Sequence, residues 1–370
     1  MSPRPLSAVV LAAGQGTRMR SSRPKPLHML VGRPLVQHVI DALVDCQVRR
    51  VVVVVGHGAE TVTKKLQEAP GPHRREFVEQ LALRGTGDAV AVGLTGLPDD
   101  DLDIADDGDV VVLPGDTPLL RPSTIAGLVA EHRLSGAACT ILTARFVDPT
   151  GYGRIVRDDD ARVRRIVEHG DATKEQQSID EVNTGIYVFR RSLLAPALRR
   201  LTPDNAQGEL YLTDVIEVLA DAGHEVVGVV TDDAEETLGV NDRAQLAVAE
   251  AELRRRINQR WMQAGVTIVD PTTTYIDADV ELAADVTVWP GTLIRGASRV
   301  EAGAELGPET DLVDCRVHEN AAVQRSLARR AEIGRDAVVG PYAVIGPGAR
   351  VPAGTHTGPF YASDGTDQHE

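Results

Sequence analysis

The chain has 370 residues, 42% of them hydrophobic, which is enough for more than one domain with a sizeable core. Its formal net charge of −15 argues against nucleic acid or an anionic membrane surface as a partner. No apolar run approaches membrane-spanning length, and the first run is too short for a signal peptide, so we expect a cytoplasmic protein. The scattered Cys46, Cys139 and Cys315 are expected to be reduced thiols.

Apolar runs alternate with amphipathic stretches over the first two thirds of the chain. Four continuous apolar runs predict buried strands, at residues 6–11, 51–55, 110–113 and 138–143. Two amphipathic stretches predict helices, at residues 35–44 and 123–132, and Ser123 is expected to cap the second. This alternation favours a doubly wound α/β sheet, in which ligands bind at the carboxyl ends of strands. The acidic segment 99–109 is interpreted as a solvated loop.

A glycine turn directly follows the first predicted strand. Gly14 and Gly16 bend the chain where a helix would start, and four cations follow, Arg18, Arg20, Arg23 and Lys25. Such a turn allows backbone N–H groups to approach a polyphosphate closely, while the cations supply countercharge. The spacing matches neither the dinucleotide fingerprint nor the Walker P-loop. A tight turn with solvated charges is the alternative interpretation.

The last third of the chain has a different period. Residues 242–265 predict one helix, with Leu253, Ile257 and Trp261 on one face and Gly265 at its end. Beyond it, apolar residues recur every six positions without a break from Ile276 to Leu312, and after a slip in register the pattern resumes and continues to Val351. A six-residue period fits neither a helix nor an alternating strand, and is typical of a β-solenoid with one side per hexapeptide.

The segment 11–39 resembles the signature of the sugar-nucleotide pyrophosphorylases, and more narrowly of the N-acetylglucosamine-1-phosphate uridylyltransferase family. The similarity rests on Gly14-Gln15-Gly16-Thr17-Arg18-Met19, on Pro24-Lys25 and on separated motifs reaching to about Thr357. It implies a Rossmann-like α/β nucleotidyltransferase domain at 1–240, a connecting helix at 241–265, a short left-handed parallel β-helix at 266–358 and a polar tail at 359–370. It also implies assembly as a homotrimer.

The implied reaction is nucleotidyl transfer, in which a sugar-1-phosphate oxygen attacks the α-phosphate of UTP and pyrophosphate leaves. Catalysis is then positioning plus charge stabilisation, with Mg²⁺ as cofactor. The resemblance assigns catalytic roles to Arg18 and Lys25 and metal binding to Asp116 and Asn241. Taken singly, these would be surface cations, a turn residue and a helix N-cap.

The resemblance also implies two substrate pockets. Backbone contacts to the nucleotide are implied for Leu11, Ala12 and Gly14, and contacts to the base for Gln80, Gly85 and Thr86. Sugar contacts are implied for Gly153, Glu168, Asn183, Tyr211 and Thr213. Carboxylates and amides are the groups that sugar hydroxyls and a base edge require, although each residue alone could belong to an ordinary loop or cap.

Three departures from the family pattern bear on function. Asp88 stands where the family usually has His, and Pro114 stands where a Tyr commonly precedes Gly115-Asp116, so another nucleotide or sugar phosphate stays open as an alternative. The family's Phe-Ala-Arg-Leu-Arg-Pro-Gly run is replaced by residues 342–348, which contain no arginine, and later acetyltransferase residues have no counterpart. We therefore expect no acetyltransferase activity. A catalytically silent scaffold is the remaining hypothesis, and the four catalytic and metal-binding residues argue against it.

Overall fold

A computed structural model describes residues 4–69, 71, 73–97 and 108–364 of the chain. The chain divides into two compact units, one formed by Met1–His28 and Pro34–Gln245, the other by Met29–Arg33 and Leu246–Glu370. The division falls inside a long helix rather than on either side of it. No sequence pattern indicated that the short segment Met29–Arg33 belongs to the second unit.

The first unit is built on a nine-stranded sheet. In chain order, the strands as far as residue 230 are β1 (Leu6–Ala12), β2 (Met29–Leu30), β3 (Arg33–Pro34), β4 (Arg50–Val55), β5 (Arg74–Glu79), β6 (Asp109–Pro114), β7 (Cys139–Arg145), β8 (Arg154–Arg157), β9 (Val163–Val167), β10 (Glu181–Arg190) and β11 (Val226–Val230). Of these, β2 lies in the short segment that belongs to the second unit. The main path runs β11-β7-β10-β6-β1-β4-β5, with β8 and β9 beside β10, while β2 and β3 form a separate pair. The β10 strand is antiparallel to both β6 and β7, and the other neighbours on the main path are parallel.

Helices cover both faces of this sheet. They are α1 (Leu35–Asp41), α2 (Ala59–Glu68), α3 (Thr86–Leu94), α4 (Pro122–Ser135), α5 (Lys174–Gln177), α6 (Arg191–Leu198) and α7 (Asp214–Asp221), followed by α8 (Arg243–Gln263), which enters the second unit. Successive β1 residues enter different apolar clusters, Val10 with α1, α2 and α4, and Val9 with α3, α6 and α7. Because adjacent strand side chains point to opposite faces, the two clusters are the two cores of a doubly wound sheet.

Several sequence expectations need correction. Ser123 does not cap α4, because Pro122 is its first residue and Arg121 occupies the N-cap position without a side-chain bond. The α1 helix ends at Asp41, earlier than expected. Asp109 is not in a solvated loop but is buried at the start of β6. Its Oδ1 lies 3.5 Å from Arg4 Nη1 and 3.4 Å from His132 Nε2. Residues 99–107 of that acidic segment lie outside the described residues.

The three cysteines are buried and unpaired, as the sequence predicts. Burial raises the pKa of the Cys46 thiol to about 11 and also raises the pKa of the Cys139 thiol well above its ordinary value. Both thiols are therefore protonated and unreactive at neutral pH. Across the described ranges, no helix combines the length and apolarity that crossing a bilayer requires.

The second unit consists of short parallel strands in three stacked sheets, the architecture of a left-handed parallel β-helix. The strands are β12 (Thr267–Ile268), β13 (Tyr275–Ile276), β14 (Glu281–Leu282), β15 (Thr287–Val288), β16 (Leu293–Arg295), β17 (Arg299–Val300), β18 (Glu305–Leu306), β19 (Asp311–Val313), β20 (Arg316–Val317), β21 (Ala322–Val323), β22 (Leu327–Arg329), β23 (Glu332–Ile333), β24 (Val338–Val339), β25 (Val344–Ile345), β26 (Arg350–Val351) and β27 (Ala362–Ser363). Every third strand stacks, so one turn of the solenoid uses three sides. The β27 strand lies beyond residue 358, where the repeat was expected to end.

The apolar residues that recur every six positions face inwards and stack in a ladder. Ile294 stacks on Leu312, Leu312 on Ala328 and Ala328 on Ile345, and all four are fully buried. Ala328 fills the position at which the apolar pattern lapsed, because alanine has a small side chain and is a weak apolar signal in a sequence. The slip in register is a pair of shortened turns, not an interruption of the solenoid.

The α8 helix supports the first rungs of this unit. Ile257 belongs to the same apolar cluster as the solenoid ladder, and Leu253 and Trp261 pack against it. Gly265 follows the helix with a positive φ of 93°, as expected for a glycine at a helix C-terminus. The predicted helix and its apolar face are therefore confirmed.

Ile294→Ala should lower the free energy of unfolding of the β-helix by about 2–5 kcal/mol, because it leaves a cavity in the ladder. Leu293→Ala, the adjacent residue whose side chain faces outwards, is the matched control and should cost clearly less. Both tryptophans, Trp261 and Trp289, belong to the second unit, so tryptophan fluorescence during denaturant unfolding reports on this unit alone. Equal losses for the two variants would contradict the assigned inward ladder.

Candidate functional site

Two neighbouring parallel strands bring the glycine turn and Asp116 to one edge of the sheet. In the register of β1 against β6, Leu11 lies opposite Pro114, and the Gly115 N–H donates to the Leu11 carbonyl at 2.8 Å. The residues that follow both strands therefore meet at the carboxyl edge, where a doubly wound sheet binds its ligands.

A cavity of about 500 Å³ opens at this edge. Its lining includes the expected nucleotide-contacting residues and both Lys25 and Asp116, the full expected set being Leu11, Ala12, Gly14, Lys25, Gln80, Gly85, Thr86 and Asp116. Gln15, Leu83 and Glu209 also line it, although none of them was an expected contact. Gln15 lies within the glycine motif, whereas no sequence signal marked Leu83 or Glu209.

The glycine turn does not open an α-helix, contrary to expectation. Gly16 has a positive φ of 61° and is followed by a single 3₁₀ turn, Thr17–Met19. A Cβ on Gly16 would lie 2.6 Å from the Cβ of Lys25, so glycine is what allows Lys25 to lie against the turn. The Arg243 guanidinium donates to the Met19 carbonyl at 3.2 Å and so fixes the end of the 3₁₀ turn. This turn thus presents a glycine loop and fixed cations, and the helix that begins at the cavity wall is α3, at Thr86.

The Gly85–Gly87 turn is anchored from behind. The Gly87 N–H donates to the Leu210 carbonyl at 2.8 Å, and the Thr86 hydroxyl accepts from the Leu212 N–H at 3.0 Å. Gly85 has a φ of 109°, and a Cβ there would lie 2.5 Å from the Leu210 carbonyl oxygen. The Thr86 side chain therefore has a structural bond in addition to its place in the cavity wall.

Gln80 follows β5 and continues its pairing, since its N–H donates to the Val55 carbonyl at 2.8 Å. Its side-chain Nε2 donates to Asp88 Oδ2 at 2.7 Å and lies 3.3 Å from the Gly85 carbonyl oxygen. The departure at Asp88 is thus in direct contact with the residue expected to contact the base.

Four expected catalytic and metal-binding residues meet at one point. Lys25 Nζ lies 2.5 Å from Asp116 Oδ2 and 3.0 Å from Asn241 Oδ1, and Arg18 Nη2 donates to the same Asn241 oxygen at 3.0 Å. The Lys25 side chain is 13% exposed and that of Asp116 27%, so the pair is partly shielded from solvent screening. Asn241 is not the N-cap of α8, because Asp242 Oδ1 accepts from the Gln245 N–H at 2.8 Å.

The two oxygens fit a divalent cation. Asp116 Oδ2 and Asn241 Oδ1 converge on one positive atom, Lys25 Nζ, which marks a point that both can coordinate. One carboxylate and one amide oxygen suit Mg²⁺, which keeps several waters and substrate phosphates in its shell. The described residues contain no group of three or more His, Cys, Asp or Glu side chains able to hold a metal ion by themselves. A cation here would thus draw its other ligands from substrate and water.

A second cavity of about 370 Å³ shares Pro114 and Asp116 with the first. It contains Arg18 and Asn241 together with three of the expected sugar contacts, Gly153, Glu168 and Asn183. A Cβ built on Gly153 would lie 3.4 Å from Glu168 Oε2 and 3.5 Å from the Asn183 Cβ, so the three residues are brought together.

The other two expected sugar contacts, Tyr211 and Thr213, are not among the residues that line this cavity. The Thr213 hydroxyl donates to Glu168 Oε1 at 3.1 Å and so orients that carboxylate. Tyr211 is buried and does not line the cavity, and its pKa is raised by burial and by the charges of Asp171 and Glu168. Burial also raises the pKa of the Glu168 carboxyl, against the opposing effect of the Thr213 hydrogen bond.

Two further residues complete the second cavity. The Gln245 side chain lines it, and its Oε1 accepts from the Asn241 N–H at 2.7 Å, which fixes the backbone of the expected metal ligand. Tyr152 also lines it, and its pKa is raised by burial and by the charge of Asp116. Tyr152 directly precedes Gly153, one of the expected sugar contacts, whereas no sequence signal marked Gln245.

Two adjoining cavities at the carboxyl edge of a doubly wound sheet, with cations and hard oxygen ligands at their junction, define a nucleotidyltransferase. Residues 8–213 match the MobA-like NTP transferase domain family. The chain is similar to the bifunctional protein GlmU of Thermobifida fusca, at 46% identity over 328 residues, 89% of this chain and 67% of the relative. For GlmU of Clavibacter sepedonicus the identity is 49% over 327 residues, 88% of this chain and 65% of the relative.

The chain belongs to this GlmU family, in agreement with the resemblance found in its sequence, and is a sugar-1-phosphate uridylyltransferase by class. GlmU of Streptomyces coelicolor is a further relative, 47% identical over 329 residues, with 89% of this chain and 67% of the relative covered. The matched segment spans about two thirds of the length of these relatives.

Proposed function

We propose that the protein joins UTP and N-acetylglucosamine-1-phosphate to give UDP-N-acetylglucosamine and pyrophosphate, in the cytoplasm and with Mg²⁺. The observation that carries this proposal is the junction of the two cavities at Asp116, with Lys25, Arg18 and Asn241 around it. A nucleotide in the larger cavity and a sugar phosphate in the smaller one would bring their phosphates together at that junction.

The reaction needs no covalent intermediate on the protein. A phosphate oxygen of the sugar-1-phosphate forms a bond to the α-phosphorus of the triphosphate, and the bond to the α,β-bridging oxygen breaks, so pyrophosphate leaves with both bonding electrons. The protein contributes alignment and positive charge, which supply most of the rate enhancement in phosphoryl-type transfers.

Lys25 and Arg18 would stabilise the charge that develops on the leaving pyrophosphate. Both cations are held at the junction by the oxygens of Asp116 and Asn241, and would donate to phosphate oxygens when substrates bind. Asp116 and Asn241 would then hold the metal ion. When bound, Mg²⁺ supplies neutralisation and alignment of phosphate oxygens.

Glu168, Asn183 and the backbone at Gly153 would hold the sugar. An ionised carboxylate accepts from hydroxyl groups, and an amide can both donate and accept, which is the mixture that an N-acetylated sugar presents. Thr213 keeps the Glu168 carboxylate turned towards the cavity.

A different nucleotide or sugar phosphate is the second candidate, favoured by Asp88 and Pro114. Asp88 contacts Gln80, and Pro114 lies in the wall between the two cavities. Release of pyrophosphate by purified protein with Mg²⁺, crossing UTP, dTTP, ATP, CTP and GTP with several sugar-1-phosphates, decides between the candidates. Dominant turnover of UTP with N-acetylglucosamine-1-phosphate supports our proposal, another dominant pair supports the second candidate, and silence across the panel supports a scaffold role.

We further propose that the protein has no acetyltransferase activity, on the evidence of residues 342–348. Ile345 is fully buried in the ladder and Val344 is half exposed, and the segment has no cationic side chain to hold a phosphate. Purified protein incubated with acetyl-CoA and glucosamine-1-phosphate should release no coenzyme A. Release above a heat-inactivated control would overturn this part of the proposal.

A homotrimer formed through the β-helix is also proposed. Outward-facing apolar side chains accompany the solenoid, among them Tyr275, Tyr342, Val344 and Phe360, which are 41–76% exposed in the single chain. Exposed apolar groups of this kind commonly mark an interface between subunits. Light scattering after size exclusion should give three times the chain mass, and a monomer mass would refute assembly.

Lys25→Ala should lower kcat by about 10²–10³-fold, because it removes a charge directed at the leaving group. Arg23→Ala, in the same basic segment but outside the lining of both cavities, is the control and should leave turnover near the original value. Pyrophosphate release at saturating substrates measures both variants. Near-normal turnover of Lys25→Ala would remove Lys25 from the mechanism.

Asp116→Ala should weaken metal binding as well as activity, because it removes the one carboxylate ligand. Mn²⁺ binding followed by electron paramagnetic resonance, with nucleotide present, gives a readout that does not depend on turnover. Asp180→Asn, a surface acid paired with Arg145 at 3.0 Å, is the control. Unchanged Mn²⁺ affinity in Asp116→Ala would place the metal elsewhere.

Glu168→Gln should stabilise the protein at neutral pH and weaken sugar binding. Because burial raises the folded-state pKa of Glu168, its protonated form is favoured on folding, and that stability is lost as pH rises through the raised pKa. Gln mimics the protonated form, so the stability gain should be present at pH 7 and vanish below the ordinary carboxyl pKa. Thermal unfolding between pH 4 and 8 and the KM for the sugar phosphate test this. A destabilised variant at pH 7 would contradict the assignment.

A further inference from the structure

The amide of Gln80 has a fixed orientation in the wall of the nucleotide cavity. Its Nε2 lies 2.7 Å from Asp88 Oδ2 and 3.3 Å from the Gly85 carbonyl oxygen. An ionised carboxylate and a backbone carbonyl can only accept hydrogen bonds, so both require the NH₂ group of Gln80 on their side. Gln80 is 5% exposed, so its amide is shielded from water and depends on hydrogen-bond partners within the protein.

We propose that Asp88 is a positioning residue that sets nucleotide preference by turning the Gln80 carbonyl oxygen towards the base. This inference rests on the proposed function only in placing a nucleotide base against Gln80. Asp88 itself does not line the cavity, so it acts through Gln80 rather than by touching the ligand.

The local fold holds Asp88 in place for this role. Asp88 lies in the first turn of α3, where a carboxylate interacts favourably with the positive end of the helix dipole. The start of α3 is anchored by the bond from Gly87 N–H to the Leu210 carbonyl, and the position of Gln80 by its bond to Val55. The two side chains therefore meet between two fixed segments of backbone.

The direction of the amide selects between two classes of base. On the edge used for pairing, uracil, thymine and guanine present a ring N–H, whereas cytosine and adenine present a ring nitrogen that only accepts. A carbonyl oxygen at Gln80 matches the first class, and an NH₂ group there would match the second. Asp88 thus favours bases with a ring N–H, to which uracil belongs.

Asp88→Asn tests this inference, because it keeps the shape but supplies an NH₂ group that lets the Gln80 amide turn round. The ratio of kcat/KM for UTP to that for CTP should fall at least tenfold, equivalent to about 1.4 kcal/mol. The GTP to ATP ratio should fall in the same direction. Glu60→Gln, which removes the first-turn acid of α2, is the matched control and should leave both ratios unchanged.

A double-mutant cycle separates positioning from a general structural effect. In a Gln80→Ala background, Asp88→Asn should change the nucleotide ratios no further, because the group through which it acts is gone. Equilibrium binding of UTP and CTP supplies the same ratios where turnover is slow, and Asp88→Ser replaces Asp88→Asn if the latter does not fold.

The outcomes keep this inference apart from the proposed function. Wild-type preference for dTTP or GTP would overturn the uridylyl assignment but leave the role of Asp88 testable in the same ratios. Wild-type preference for CTP or ATP, or ratios unchanged in Asp88→Asn, would overturn the role of Asp88.

Discussion

The pairing of β1 with β6 is the constraint on which the site depends. Because these strands are parallel and Leu11 lies opposite Pro114, the glycine loop after one and Asp116 after the other must emerge side by side. The hydrogen bond from Gly115 to Leu11 extends this pairing by one step into the loops. Lys25 Nζ can then donate to Asp116 Oδ2, at 2.5 Å, and also to Oδ1 of Asn241, which lies far along the chain.

Charge explains why this cluster holds together without substrate. Asp116 and the Asn241 oxygen need a positive partner, and Lys25 and Arg18 supply it. The two cations therefore lie beside the position where phosphate charge would develop. When substrates bind, a metal ion would replace the cations at Asp116 and Asn241, and the cations would bind the phosphates. Preorganisation of this kind reduces the rearrangement that a charged transition state demands.

The β-helix follows a different physical rule from the sheet domain. Its order comes from a repeated inward position, each filled by a residue that stacks on the one a turn later, and not from a single central core. Such a ladder tolerates turns of slightly different length as long as the inward position is kept. Ala328 shows this, because it maintains the stack between Leu312 and Ile345 where the apolar pattern is weakest.

The sequence by itself determined the fold class, the first strand, the connecting helix α8 and the solenoid, because hydrophobic periodicity and glycine placement are local properties. It also identified the residues that meet at Asp116, since they lie in recognisable motifs. Only the tertiary structure decided that the glycine turn is followed by 3₁₀ geometry, that Thr213 orients Glu168 rather than facing the cavity, and that Asp88 holds the Gln80 amide. Those features depend on contacts between segments distant in the chain or across a loop, and no local pattern encodes which atom of a side chain faces a cavity.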